Sequence, residues 1–81
     1  MKPKVGKWYK YDYTGNRQGS YRYDIFKVTS CVKQFERPTN FRYVIFKDSP
    51  LDNAKEWHLS VYYWNRYVKE IDKEELMVEL I

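Results

Sequence analysis

Residues 9–24 read YKYDYTGNRQGSYRYD, with aromatic and charged residues alternating on both sides of a polar stretch that holds two glycines and an asparagine. Alternation at period two is the pattern of a half-buried strand, and Gly and Asn supply the positive φ that tight reversals need. The stretch predicts a β-hairpin with a first strand over 5–13 and a second over 21–32. A seven-residue loop, 14–20, centred on Arg17 sets residue i opposite residue 34 − i. On one face Tyr13 then meets Tyr21, Tyr11 meets Tyr23 and Tyr9 meets Ile25; on the other Asp12 meets Arg22, Lys10 meets Asp24 and Trp8 meets Phe26. Every charged pair is opposite in sign, and each pair is worth about 0.2 to 1 kcal/mol over an alanine pair.

A hairpin needs partners to bury its apolar face, and 81 residues supply few. A single domain of this size hides only about 60 to 65% of its unfolded surface. Nine Tyr, four Phe and three Trp compensate, because each ring buries a large area while Tyr and Trp keep a polar end near water. No run approaches the roughly 20 apolar residues of a membrane span, and no apolar stretch follows the basic N-terminus, so a soluble, cytoplasmic, unprocessed protein is expected. One cysteine, Cys31, and one histidine, His58, supply neither an intramolecular disulfide nor a four-ligand zinc site, and no metal or cofactor is expected. Residues 1–47 carry eleven Lys/Arg against three Asp/Glu, whereas 69–81 carry two Lys against five Asp/Glu. That polarity fits an anionic partner, head-to-tail self-association, or solubility alone.

Beyond the hairpin, KQFERPTN is a connection, FRYVIFKD (41–48) a central third strand apolar on both faces, and KEWHLS (55–60) a fourth. The apolar parity of the second strand shifts from Tyr21, Tyr23 and Ile25 to Phe26, Val28 and Val32, as at a sharp bend or bulge. Ser60 can cap a short helical turn carrying Tyr63, Trp64 and Tyr67, and a short fifth strand covers about 67–71. The tail 72–81 reads as a helix capped by Asp72 with Glu75 at the capping-box position; the rival reading is a closing strand. The expected core is Trp8, Phe26, Val28, Val44, Phe46, Trp57, Leu59 and Trp64.

This order of elements over about 5–71 resembles a small SH3-like or Tudor-like β-barrel. It is similar to short bacterial and phage domains with a GKxYxY opening strand (Gly6, Lys7, Tyr9, Tyr11), a YVxFxD middle strand (Tyr43, Val44, Phe46, Asp48) and a late Trp57 and Ser60 before an aromatic turn. The resemblance implies a five-stranded, strongly bent antiparallel SH3-like barrel with a short 3₁₀ or helical turn, to which the residues of the tail add a C-terminal helix. It also implies non-catalytic binding of peptide, modified side chain or nucleic acid through aromatic residues. The acidic loop that precedes the tryptophan of peptide-binding SH3 domains is missing, so proline-rich ligands are not implied.

No catalytic constellation is legible. Cys31 and His58 sit on different strands, the three glycines form no phosphate loop, and Asp72, Glu74 and Glu75 suit the first turn of a helix. Three readings of the tyrosines stay open: a sheet face covered by Leu76, Met77 and Leu80; a protein-binding surface of Tyr11, Tyr13, Arg17, Tyr21 and Tyr23; or a stacking platform for nucleic acid served by Arg17, Lys33, Arg37 and Arg42. A tyrosine cage for methylated lysine is a special case of the second. The expectation is a protein-binding module, monomeric or weakly dimeric, of the kind a phage uses as an accessory or inhibitor of a host machine, with nucleic-acid binding as the alternative.

Overall fold

The chain forms β1 (Trp8–Thr14), β2 (Tyr21–Arg37), β3 (Asn40–Asp48), β4 (Glu56–Ser60), α1 (Val61–Tyr67), β5 (Val68–Ile71) and α2 (Lys73–Glu79). The computed structural model describes residues 2–15, 21–37 and 40–80, so Arg17 and Pro38 lie outside the described residues. All strand pairs are antiparallel, in one sheet of order β4-β3-β2-β1-β5. β4 and β5 are its edges and do not pair with each other, so the sheet curls without closing.

The first hairpin departs from the expected register by one residue. Tyr9 faces Phe26, Tyr11 faces Asp24 and Tyr13 faces Arg22, so that residue i lies opposite 35 − i. Side chains alternate across a strand, and this single step sends the two halves of the tyrosine ladder to opposite faces. Tyr9, Tyr11 and Tyr13 share a face with Phe26 and Val28, whereas Tyr21, Tyr23 and Ile25 share the other with Trp8, Lys10 and Asp12. The expected register optimises pairs worth at most about 1 kcal/mol each. The observed one gathers Tyr9, Tyr11, Phe26 and Val28 in the core, where burying a large apolar side chain is worth about 1.5 to 3 kcal/mol. The expected Lys10–Asp24 pair is replaced on both sides, Lys10 reaching Glu79 of α2 and Asp24 taking Lys47 of β3, each at 2.9 Å, while Asp12 and Arg22 now lie on opposite faces.

β2 runs to Arg37, well past its expected end, because Lys33, Gln34 and Phe35 pair with Tyr43, Arg42 and Phe41. Between Val28 and Ser30 its register with β3 slips, leaving Thr29 without a partner. A bulge of this kind bends the strand and increases its twist. Core-facing parity passes there from Phe26 and Val28 to Cys31, so the expected parity shift is present and lies at Thr29. β1 pairs with β2 only as far as Lys27, and β3 begins there. The first part of β2, Tyr21–Phe26, consequently has no strand on its second edge among the described residues.

The sheet wraps Trp64 of α1, whose ring centroid lies 4.8 Å from Tyr9, 5.8 Å from Tyr43 and 6.3 Å from Phe26. Ser60 starts that helix as expected, its hydroxyl accepting the Tyr63 N–H at 3.1 Å. The indole N–H of Trp64 finds no acceptor among the described residues, so packing alone holds this ring. Phe26, Val28, Val44 and Trp64 are buried as expected; Trp8, Trp57 and Leu59 are half-buried. Phe46 is a correction. It points outward because the other parity of β3, Tyr43 and Ile45, meets Leu59 and Trp57 on the core side.

The ends are tied down separately. Gly6 takes φ of 86° and donates its N–H to the Val28 carbonyl at 2.8 Å, a left-handed turn that glycine adopts without steric cost. The tail is helical, with Asp72 accepting the Glu75 N–H at 2.8 Å, while the Glu75 side chain turns to Lys69 instead of closing a capping box.

Candidate interaction surface

The one-residue register step decides where each expected tyrosine goes. Tyr11 is only 4% exposed and packs edge-on against Trp57, ring centroids 5.2 Å apart. Tyr13 is half-buried, stacks on Tyr63 of α1 at 5.7 Å and meets Tyr67 edge to face at 4.7 Å. Tyr63 and Tyr67 also touch each other at 5.7 Å, so the three rings fill one another's space as a cluster. On the opposite face Tyr21 is 58% exposed and stacks on Tyr23. The Tyr23 hydroxyl donates to Glu79, so α2 covers Tyr23 and leaves Tyr21 open. Burial and that bond push the Tyr23 phenol from 10.0 up to about 12, while Tyr23 and Lys10 hold the Glu79 carboxyl below its ordinary range. The single continuous ladder is therefore corrected to two separated half-sets, and Arg17 lies outside the described residues.

Behind Tyr11 and Trp57 is a feature absent from the sequence reading. Lys47 is fully buried, its ammonium 2.9 Å from Asp24, 3.2 Å from Asp52 and 4.3 Å from the centre of the Trp57 ring. Ser49 donates its hydroxyl to the second oxygen of Asp24. A buried ammonium is tolerated where carboxylates and an aromatic face replace its water, and this cluster supplies both. A backbone N–H from Ala54 and then Lys47 keep the Asp52 carboxyl below its ordinary value. The sequence did carry a signal, since Lys47 continues the inward parity of Tyr43 and Ile45 and so required an acidic partner on the same face.

In front of this cluster a cleft of about 260 Å³ runs along the unpaired edge of β2. It is lined by Tyr21 to Asp24 of β2, Tyr11 of β1, Leu51 and Asp52 of the β3–β4 loop and Trp57 of β4. Three expected site residues, Tyr11, Tyr21 and Tyr23, thus line one cleft, brought there by a strand edge and a loop. The cleft offers aromatic surface, one unburied guanidinium and free backbone groups.

A second surface lies at the far end of β2 and β3. Phe35 is 63% exposed and Phe41 42% exposed, and they pair edge to face at 5.3 Å. The Lys33 ammonium sits 4.7 Å over the Phe41 ring, and Arg42 hydrogen-bonds Gln34 through both Nε and Nη2. Among the described residues no carboxylate pairs with Lys33 or Arg42. The expected basic set is thereby half assembled: Lys33 and Arg42 share this arm, Arg37 pairs with Asn40 through the backbone with its side chain undescribed, and Arg17 is undescribed. Phe35 escapes the sequence reading because 33–40 reads as a connection, and Phe41 because 41–48 reads as a central strand covered on both faces; in the paired strands they face each other at an uncovered end.

Cys31 opposes Ile45 on the core side of β3, whereas His58 opposes Val44 on the outer side and pairs with Glu56 at 2.7 Å, so the sheet separates these two residues. Burial pushes the Cys31 thiol up, away from a reactive thiolate. Among the described residues no three His, Cys, Asp or Glu side chains converge as a metal site, and no helix is long and apolar enough to cross a membrane. No protein-family profile, curated protein or solved structure matches the chain.

Proposed function

We propose that the chain is a non-catalytic binding module that accepts an extended segment of a protein partner along the open edge of β2. The observation that carries this reading is the cleft between Tyr21–Asp24 and Trp57, where an unpaired strand edge adjoins an aromatic wall. Strand addition draws affinity from main-chain hydrogen bonds and specificity from side-chain pockets, and this cleft supplies both elements. The strand order, the bend at Thr29 and the placement of α1 between β4 and β5 support reading the fold as an SH3-like barrel. Occlusion of a larger machine, as a phage accessory or inhibitor works, suits a module this small.

Affinity capture with and without nuclease tests the reading, comparing the native chain with Tyr21→Ala and Arg22→Glu. Both side chains are exposed, so these variants should fold normally. Nuclease-resistant capture that either substitution weakens at least tenfold supports the cleft; capture unchanged by both removes it.

Nucleic-acid binding is a second reading, favoured by Lys33 over the exposed Phe41 with Arg42 alongside. Stacking on such rings is worth about 1 to 3 kcal/mol per base. Capture abolished by nuclease, with binding that weakens steeply as salt rises, would favour it over the cleft.

A further inference from the structure

The outer face of α2 has the opposite character from that of an ordinary surface helix. Glu75, Leu76 and Glu79 turn inward, where Glu79 anchors the helix on Lys10 and Tyr23 and Glu75 on Lys69. Glu74, Met77 and Val78, spaced three and four apart, share the outward face, with Met77 59% and Val78 71% exposed. Surface helices normally turn apolar residues toward the core and charges outward. Here the charges hold the helix down and an apolar pair is left outside on the face of Glu74, with Glu70, Asp72 and Lys73 exposed toward the start of the helix.

The β2–β3 arm carries the complementary set: exposed Phe35 and Phe41 with the cations of Lys33 and Arg42. Within one molecule the hydrogen bonds of the α2 side chains reach Lys10, Tyr23 and Lys69, none of them on the arm. We propose that copies of this chain associate head to tail, the basic aromatic arm of one seated on the acidic apolar face of α2 of the next. The occupant is a second copy because the two surfaces are opposite in charge sign and each exposes an apolar pair that the other can cover. Such a contact is heterologous, so it propagates as a chain or closes as a ring and does not stop at a symmetric pair. With one short helix against one hairpin end, the interface falls below about 1,200 Å² in total and is weak and reversible.

Sedimentation velocity over a range of concentrations reads this directly. The wild-type chain should grow beyond a dimer as concentration rises, and should shrink toward the monomer between about 0.1 M and about 1 M salt, where the screening length falls from about 10 to about 3 Å. Phe35→Ser with Phe41→Ser blocks the arm; Met77→Lys with Val78→Lys blocks the helix. Each variant alone should be monomeric, and their mixture should stop at one-to-one pairs, because only one competent arm and one competent helix remain. A wild type that is monomeric throughout, a variant that still associates alone, or a mixture that stays monomeric overturns the proposal. Should either double variant unfold by circular dichroism, the exchange pair replaces it. Lys33→Glu alone should abolish association, and Lys33→Glu with Glu74→Lys in the same chain should restore it; no restoration overturns the proposal equally. The β2 cleft takes no part, so its capture experiment stands or falls separately.

Discussion

Replacing Tyr11 by alanine removes a ring that is almost fully buried and packs against Trp57 and Tyr13, with centroids 5.2 and 6.3 Å away. Truncating a buried aromatic of this size costs about 3 to 5 kcal/mol in lost transfer free energy and unfilled volume. A domain of 81 residues has a total stability of about 4 to 12 kcal/mol, so the loss takes a large share of it. At about 4 to 8 °C per kcal/mol for a chain of this length, Tyr11→Ala should melt at least about 12 °C below the wild type. Tyr21→Ala removes a ring more than half exposed on the other face, and should stay within about 0.5 kcal/mol. Thermal melting of both variants followed by circular dichroism makes the comparison. The contrast tests the register: if residue i faced 34 − i, Tyr11 and Tyr21 would share one face and suffer alike. A Tyr11→Ala stability within about 1 kcal/mol of wild type, or equal losses in the two variants, would refute the assignment of faces.

Lys47→Met strands Asp24 without its cation in a buried position, and urea denaturation should register a loss of about 3 to 5 kcal/mol; adding Asp24→Asn should recover a good part of it. Deleting Thr29 makes Val28–Lys47 and Ser30–Phe46 consecutive pairs, so Cys31 keeps its core side and only the local bend and extra twist of β2 are lost; melting should stay cooperative, with a midpoint lowered by straightening the strand, and a loss of cooperativity would refute the placement of the bulge. Because the folded state raises the Tyr23 phenol from 10.0 to about 12, its contribution to stability is full below pH 10 and is lost as pH rises through about 12. Ultraviolet titration of wild type minus Tyr23→Phe should isolate one phenol ionising near that upper value. Glu79 works in the other direction: its folded carboxyl is lowered from 4.5, so its contribution is present above that value and fades as pH falls through the folded one. Glu79→Gln should accelerate amide exchange in α2 at neutral pH while leaving the sheet protected.

Period-two alternation and turn composition are local properties, and the elements they specify were legible: five strands, the Ser60-capped turn and the Asp72-capped tail. Register is a different kind of quantity. YKYDY and YRYDI are apolar on odd positions, but Trp8, Phe26 and Val28 make the even positions apolar too, so either register buries something on each face. Charge matching favoured 34 − i; the choice fell to the residues that the rest of the fold could cover. Phe26 and Val28 share one cluster with Trp64, Trp57 and Tyr43, whereas Tyr23 on the other face is covered through its bond to Glu79 of α2. Trp64, Trp57 and Tyr43 lie 15 to 38 residues from Phe26 and Val28 in sequence, beyond what a hairpin considered alone can weigh.

The same competition explains why the candidate site was half legible. Aromatic residues in a chain this small serve the core first, so an aromatic side chain is informative about binding only where the core has no claim on it. Tyr11 was claimed by Trp57, and Tyr23 by α2. Tyr21 remained outside because β3 joins β2 only at Lys27, which leaves the hairpin end as a single ribbon with one edge and one face uncovered. Phe35 and Phe41 remained outside for the matching reason at the other end: β4 stops pairing at Arg42 and β1 at Lys27, so no other strand among the described residues reaches past them. Both candidate surfaces therefore arise from one geometric fact. β2 is longer than any strand that could pair with it, and what projects at each end is what the chain has available for contact with another molecule.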